Sequence, residues 1–334
     1  MAGITFSEAS GLNDSIFGNS QKPIRMFLEK RAEEFERQSV LKEIFYMGKS
    51  NKFAEKFTSL TAMEGFKPVG ENGSHPIDGY REGRSKVIEH MTWKDSFSIS
   101  REIADDTNMM NLKQRPQAFI AAYHRGRENF GAQFLGESIK GNSSFSIGGF
   151  TFDTTGADGK PLFATDHAAL VSGADQCNLW SDSVSSDAIG MMETAMQNTK
   201  DDNGNLIGVM PDTILIPNSH ALKKAVFAAI GSDKESENAN NAFNYQVGRW
   251  NVIIWNYLNP FLTSGTAPWV MLDSRYNQDY AGLVWLDRVT LEVKSSIDED
   301  TDANVWRGYS RFGVGLNDWR GWAVGGVASG NALS

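Results

Sequence analysis

Hydrophobic positions along the chain follow two rhythms, one helical and one alternating. Between Lys22 and Met47, residues Ile24, Phe27, Leu28, Phe35, Leu41, Ile44 and Phe45 recur near helical spacing. Glu29, Lys30, Glu33, Glu34, Glu36 and Arg37 fill the gaps. The pattern predicts an amphipathic helix with room for one break, packed either on its own domain or on a neighbouring chain. From Val87 to Ser100 the period drops to two. Val87, Met91, Trp93, Phe97 and Ile99 share one face, and His90, Thr92, Lys94, Ser96 and Ser98 the other. This predicts one long strand with a wet face. Such a strand needs long partners. Val289, Leu291, Val293 and Ile297 alternate in one C-terminal segment, and Trp306, Phe312, Val314 and Leu316 in another, across an acidic turn at 298–302. An N-terminal strand is therefore predicted to pair with C-terminal ones in an elongated sheet. Pro116 suits the first turn of a helix. Phe119, Ile120, Tyr123, Phe130 and Phe134 then hold one apolar face to about Lys140-Gly141, with Arg125, Arg127, Glu128 and Glu137 largely off it. A long helix across a long sheet is a layered, extended domain.

The middle, about 165–285, reads as a separate α/β unit. Ser186 to Thr199 and Ser219 to Ile230 are predicted helices. Thr213 to Pro217, Trp250 to Leu258, Trp269 to Leu272 and Leu283 to Leu286 are predicted strands. Residues 201–205 form a turn cluster. Two segments carry no rhythm. The start, to about Asp14, is small and polar and reads as a poorly anchored arm. Thr61 to Lys86 is punctuated by Gly65, Gly70, Gly73, Gly79, Gly83, Pro68 and Pro76, with few apolar residues. It cannot bury much surface by itself and is predicted to be a long exposed hairpin or loop.

Composition narrows the class. The 334 residues suggest two domains, or one large domain with excursions. Apolar residues make up 40% of the chain, with 20 Phe and 9 Trp, so a sizeable core can form. Lys and Arg number 32 against 41 Asp and Glu, a net charge of −9 that disfavours a sequence-independent grip on nucleic acid. The single Cys177 permits no internal disulfide and fits a reducing compartment. The first eight residues show no basic region and no apolar run, so no signal peptide is expected. No stretch approaches the ~18 apolar residues of a membrane span.

Candidate chemistry is sparse. The closest pair among His75, His90, His124, His167 and His220 is 15 positions apart, so no local two-His metal motif exists. His167 beside Asp166 reads as a hydrogen-bonding loop residue rather than a base. Gly48-Lys49-Ser50 resembles the end of a phosphate-binding loop, but Glu43 stands where Gly is required. Gly308-Tyr309-Ser310-Arg311-Phe312 lacks the second Gly of a nucleophile elbow. Ser39 and Lys42 have serine–lysine spacing without a supporting motif. Asp201, Asn203 and Asn205 mimic a calcium loop, but Leu206 replaces its Gly. No basic neighbour depresses the Cys177 pKa. No catalytic residue, metal site or cofactor is predicted.

Three motifs carry a resemblance. Gly159-Lys160-Pro161-Leu162-Phe163-Ala164-Thr165-Asp166-His167 is similar to a G-x-P-L-F…H stretch of several phage head subunits. Pro211-Asp212-Thr213-Ile214-Leu215-Ile216-Pro217 precedes a helix. The chain then runs from Trp306-Arg307-Gly308-Tyr309-Ser310-Arg311-Phe312-Gly313 to Trp319-Arg320-Gly321-Trp322. With the order of arm, hairpin, long helix and α/β unit, the whole chain resembles the major capsid proteins of tailed bacteriophages with the Hong Kong 97-type fold. The resemblance implies an α+β fold: an N-arm (1–50), an E-loop hairpin (51–90), a peripheral domain with a long spine helix on a long antiparallel sheet (91–185 and 287–318) and an α/β axial domain (186–286 and 319–334). It implies a structural protein, not an enzyme, that self-assembles into the icosahedral head shell around the phage genome. An encapsulin-type compartment of the same fold and a cytosolic α/β enzyme are the alternatives. The implied partners are copies of the chain in hexamers and pentamers, a separate scaffolding protein, a portal, and packaged DNA held without specific binding; no membrane is implied. The implied location is the virion, after assembly in the host bacterial cytoplasm. Candidate intersubunit contacts are Phe66, Glu71, Asp78, Tyr80, Arg81, Glu82 and Arg84 on the hairpin, and Arg25 and Phe27 on the arm. The charged members would set register by complementary pairing. Some relatives cross-link Lys to Asn between subunits. Lys67 and Lys86 lie in or beside the hairpin, but no matching Asn or catalytic acid is identified, so that chemistry is not carried over.

Overall fold

Among the described residues, alternating and helical segments build two larger sheets, two two-stranded hairpins and the helices packed on them. The computed structural model describes residues 5–8, 28, 30–60, 66–71, 73–75, 77, 82–100, 114–170, 173–231, 244–262, 267–298, 300–301 and 303–333. In chain order, β1 (Thr5–Glu8) is followed by helical residues 30–38 (α1), α2 (Leu41–Ile44) and β2 (Tyr46–Lys49). Next come the hairpin strands β3 (Ala54–Leu60) and β4 (Glu82–Glu89), then β5 (Met91–Ile99) and the long α3 (Gln114–Ile139). A small hairpin, β6 (Ser144–Ile147) and β7 (Phe150–Asp153), follows. The α/β unit holds α4 (Ser186–Gln197), β8 (Thr213–Pro217), α5 (His220–Ile230), β9 (Asn251–Trp255), a 3₁₀ turn (Asn256–Phe261), β10 (Trp269–Leu272) and α6 (Ser274–Asp279). The chain closes with β11 (Leu283–Ile297), β12 (Asn304–Leu316) and β13 (Trp322–Gly325).

The long sheet runs β1-β11-β12-β5, with β2 also on the free edge of β11. β5 and β12 are antiparallel, from Met91 opposite Phe312 to Ile99 opposite Asn304. The predicted pairing of N-terminal with C-terminal strands is thus present. Leu283 to Leu286, expected as a separate strand, is instead the first part of β11. Residues Gly313–Leu316 of β12 extend far enough to pair with it. In the second sheet, β13-β10-β8-β9, the edge strand β9 leaves Asn251 exposed and Val252 and Ile254 partly so, while every residue of β8, β10 and β13 is buried, on both faces. Such double burial explains the unbroken apolar runs of Thr213–Pro217 and Trp269–Leu272.

Three expectations require correction. The strand predicted from Val87 to Ser100 is two strands, broken at His90. The inward parity flips there: Val87 is exposed, whereas Ile88 is buried against Val284 and Leu286. The flip follows from docking. A Cβ on Gly313 would lie 2.3 Å from the Glu89 carbonyl oxygen, and one on Gly315 would lie 2.5 Å from the Ile88 side chain. Glycine in β12 therefore lets β4 leave the sheet plane and lie on it.

The arm is the second correction. Residues 5–8 pair in parallel with Glu292–Ser295 of β11, so that part is anchored through its backbone; residues 9–14 lie outside the described residues. The N-terminal helix is indeed broken once, but it ends at Ile44 rather than Met47. Asn277 Nδ2 donates to the Ile44 carbonyl (2.8 Å), and Tyr46–Lys49 becomes β2 beside β11. The helical segment packs on its own chain: Leu28 and Ala32 meet Phe119, Ile120, Leu291, Val293 and Trp306.

The third concerns α3. Its apolar face buries Phe119, Ile120, Phe130, Phe134, Leu135 and Ile139 as predicted. Arg127 and Glu128, however, are not solvated. Arg127 pairs with Asp287 (3.0 Å) and receives support from the Tyr123 hydroxyl. Glu128 accepts from Ser39 Oγ (2.6 Å) and Trp255 Nε1 (2.7 Å). These partners lie far away in sequence, and each satisfies a charge that burial would otherwise penalise. Close approach to α3 also needs glycine. A Cβ at Gly136 would sit 2.4 Å from the Phe261 ring.

Candidate intersubunit surfaces

The β3–β4 hairpin is positioned from its base. Ile88 plugs a small cluster with Val284, Leu286, Tyr46 and Phe57. His90 N–H donates to the Phe53 carbonyl (3.3 Å), and its Nδ1 faces the same oxygen at 2.8 Å. Arg288 donates to the Lys52 carbonyl (3.0 Å). On the other side, Lys86 Nζ reaches Asp153 Oδ2 (2.5 Å) and Thr155 Oγ1 (3.1 Å), and Arg84 donates to the Ala168 carbonyl (3.0 Å). Burial alone would raise the Asp153 pKa; the bonds from Lys86 and Thr155 outweigh it and hold it below its ordinary value.

Beyond the base the hairpin leaves the body. Residues 66–71, 73–75 and 77 are all exposed where described. Phe66 is fully accessible, at 109% of its reference area, and Ile77 at 97%. Val69, Phe53 and Val87 are exposed as well. Large apolar side chains displayed on one projecting element are a mark of an unfilled interface. Gly and Pro spacing explains why they stay outside: the segment has too few apolar residues to form a core of its own.

The sequence-derived candidates divide accordingly. Phe66 and Glu71 stand on the exposed tip, and Glu82 is exposed at the start of β4. Arg84 is half-buried and holds its own chain through Ala168. Arg25, Phe27, Asp78, Tyr80 and Arg81 lie outside the described residues. Sequence reasoning missed Phe53, Val69, Ile77 and Val87 as exposed apolar groups. The isolated apolar residues among Gly, Pro and charge were the available signal for Val69 and Ile77. The role of Lys86 as a brace to Asp153 had no local signal at all.

A second surface lies where α1 and α2 meet α3 and the 3₁₀ turn. His124 stacks on Phe35 with ring centroids 5.2 Å apart. Burial, then the charges of Arg127 and Lys42, push its pKa down to about 4. Glu128, one turn on, has its pKa raised by burial, against the bonds from Ser39 and Trp255. The pair joins the N-terminal helices to the α/β unit through α3. Among the described residues no group of three or more His, Cys, Asp or Glu could hold a metal ion. Cys177 is partly buried, and that burial raises its pKa away from a reactive thiolate.

Comparison with known proteins adds an independent observation. A family model described as phage capsid protein matches residues 84–325. The chain belongs to the phage capsid protein family. It is a structural major capsid protein that forms the head shell. The matched span begins within β4, so it includes most of the hairpin's docked return strand and the elements from β5 to β13, but not β1, β2, β3 or the N-terminal helices. Among solved structures, the chain is similar to one titled Mycobacterium phage Patience, at 13% identity over 100% of this chain and 95% of that one, with a TM-score of 0.50. It is also similar to the capsid of Ralstonia phage GP4, at 8% identity over 86% and 90%, with a TM-score of 0.53. At these identities the likeness is one of fold. No curated protein sequence gave a match.

Proposed function

We propose that the β3–β4 hairpin and the N-terminal arm are the assembly contacts of a shell built from hexamers and pentamers of this phage capsid protein. The exposure of Phe66 and Ile77 carries the reading. Burying one such side chain on a neighbour contributes about 2–3 kcal/mol before ordering costs. A single contact of this size is weak. Repeated around a closed, symmetric shell, many act together at high effective concentration. Glu71, Asp78, Tyr80, Arg81 and Glu82 contact the adjacent subunit, their charges setting the register of the hairpin there, while Arg25 and Phe27 make the arm's contacts and Arg84 braces the hairpin on its own chain. The net charge of −9 suits a wall that encloses DNA without gripping it. A separate scaffolding protein and a portal complete the assembly, which takes place in the host bacterial cytoplasm and ends in the virion. No reaction is assigned to the chain.

Replacing residues 61–81 by a short glycine-rich turn tests this. The variant should keep the circular-dichroism spectrum and cooperative melt of the parent, because the hairpin base stays paired. Electron microscopy should show no closed shells. Normal shells from the shortened chain would refute the proposal.

A further inference from the structure

The Gly159–His167 motif has an unusual chemistry. His167 is fully buried, with both ring nitrogens facing oxygen. Nδ1 lies 2.6 Å from Asp158 Oδ2, and Nε2 lies 3.2 Å from Asn178 Oδ1. The Asn178 amide has one workable orientation. Its Nδ2 donates to the carbonyls of Leu162 (2.8 Å) and Trp322 (3.1 Å), while Oδ1 accepts from the Ala164 N–H (2.9 Å). Only an NH₂ group can serve two carbonyls, and only oxygen can accept that N–H. The atom facing Nε2 is therefore an acceptor, and Nε2 carries a proton.

The same argument applies to Nδ1. Asp158 Oδ1 accepts from the Lys160 N–H (3.1 Å). At 2.6 Å a hydrogen must lie between Asp158 Oδ2 and Nδ1, and of the two groups the carboxyl is ordinarily the stronger acid (about 3.9 against about 6.5), so it is the one ionised. An ionised carboxylate only accepts, so Nδ1 also carries a proton.

We propose that His167 is a doubly protonated imidazolium in the folded subunit, a buried cation clamped by Asp158, Asn178 and the face of Trp319. The imidazole and Trp319 rings stack with centroids 4.0 Å apart and planes 10° apart, which places the cation over an aromatic face. The neighbouring charges are matched elsewhere. Lys160 pairs with Asp166 (2.5 Å), and Asp175 adds to the negative field on Lys160. Arg320, over the Trp319 ring, pairs with Asp202 (2.8 Å) and Asp318 (3.3 Å). Arg84 acts on Asp158 from the hairpin base. Asp158 is thus the counter-ion in direct contact with the ring.

The clamp joins three segments. The 156–167 loop meets residues 176–178 through the His167–Gln176 backbone bridge and Asn178, and Asn178 ties both to Trp322 at the start of β13. The hairpin base rests beside the same loop, through Lys86 on Asp153 and Thr155 and Arg84 on Ala168. A single proton therefore stiffens the platform from which the assembly hairpin projects.

The test is nitrogen NMR of the full-length chain labelled with ¹⁵N-histidine, with His167→Gln used to assign the signals. At neutral pH both His167 nitrogens should resonate in the protonated range, each coupled to its own hydrogen. A lone-pair signal at Nδ1 overturns the proposal. Asp158→Asn should remove the Nδ1 proton and speed hydrogen exchange at the Ala164, His167, Gln176 and Asn178 amides by about tenfold or more. Retention of both protons and of native exchange in that variant also overturns it. If that variant does not fold, the wild-type spectrum still decides.

Discussion

The sheet β13-β10-β8-β9 and the β3–β4 hairpin are both made of short strands, yet they solve the burial problem in opposite ways. The sheet buries β8, β10 and β13 entirely within the chain; Trp269 and Trp322 are inaccessible. The hairpin buries Ile88 at its base and presents Phe66 and Ile77 to solvent. The difference teaches that apolar content does not by itself decide where burial occurs. Trp269 is surrounded by strands and helices that arrive from several parts of the chain. Phe66 lies in the connection between β3 and β4, and a two-stranded ribbon has only marginal stability of its own. Phe66 stays uncovered within the chain, and in the assembly proposed above a neighbouring subunit covers it.

The contrast can be broken by substitution. Trp269→Ala should have the largest effect on folding. It removes a buried ring whose Nε1 donates to the Asp182 carbonyl (3.0 Å), and it should cost about 3–5 kcal/mol in denaturant unfolding. A loss below about 1 kcal/mol would contradict the picture of a fully packed sheet.

A pH titration extends the comparison to α3, which packs against the 3₁₀ turn and bonds Trp255 of β9 through Glu128. The folded His124 pKa, about 4, lies below the ordinary 6.5, so the unfolded chain binds a proton that the folded chain rejects. The His124 contribution is complete above pH 6.5, declines as pH falls, and levels off below about 4. Its full size is up to about 3 kcal/mol. His124→Phe should remove that part of the slope while keeping the stack on Phe35. Unfolding curves collected across the window, with and without the substitution, check this; an unchanged slope counts against it.

The double variant Phe66→Ala, Ile77→Ala should have the smallest effect on folding, within about 0.5 kcal/mol. Its effect on assembly should be large. Light scattering during assembly should show slower or absent shell growth at a concentration where the parent assembles. A shift in the subunit's own melting as large as that of Trp269→Ala would mean that these side chains are buried within one chain after all.

Much of the architecture was legible from local pattern. The apolar face from Phe119 to Phe134 located α3, because helical periodicity survives any tertiary context. Alternation from Met91 to Ile99 and from Trp306 to Leu316 located β5 and β12, and their matching lengths indicated the pairing. The break at His90 was not legible. Val87 and Met91 have the same parity as one continuous strand would, and only Gly313 and Gly315, more than two hundred residues later, explain why β4 rises onto β12. The burial of Arg127 and Glu128 was hidden for the same reason, since Asp287 and Trp255 are distant along the chain. His167 was read correctly as a hydrogen-bonding loop residue, but its proton count required the coordinates of Asp158 and Asn178.

Sequence by itself determined which segments could become helix or strand and which could not build a core, because periodicity and glycine content act over a few residues. Tertiary structure decided which charges are matched in the interior, where one strand ends and another begins, and which apolar side chains remain without cover. Those outcomes depend on long-range partners, and a buried charge, a close glycine contact or an exposed phenyl ring is defined only by what lies across from it in space.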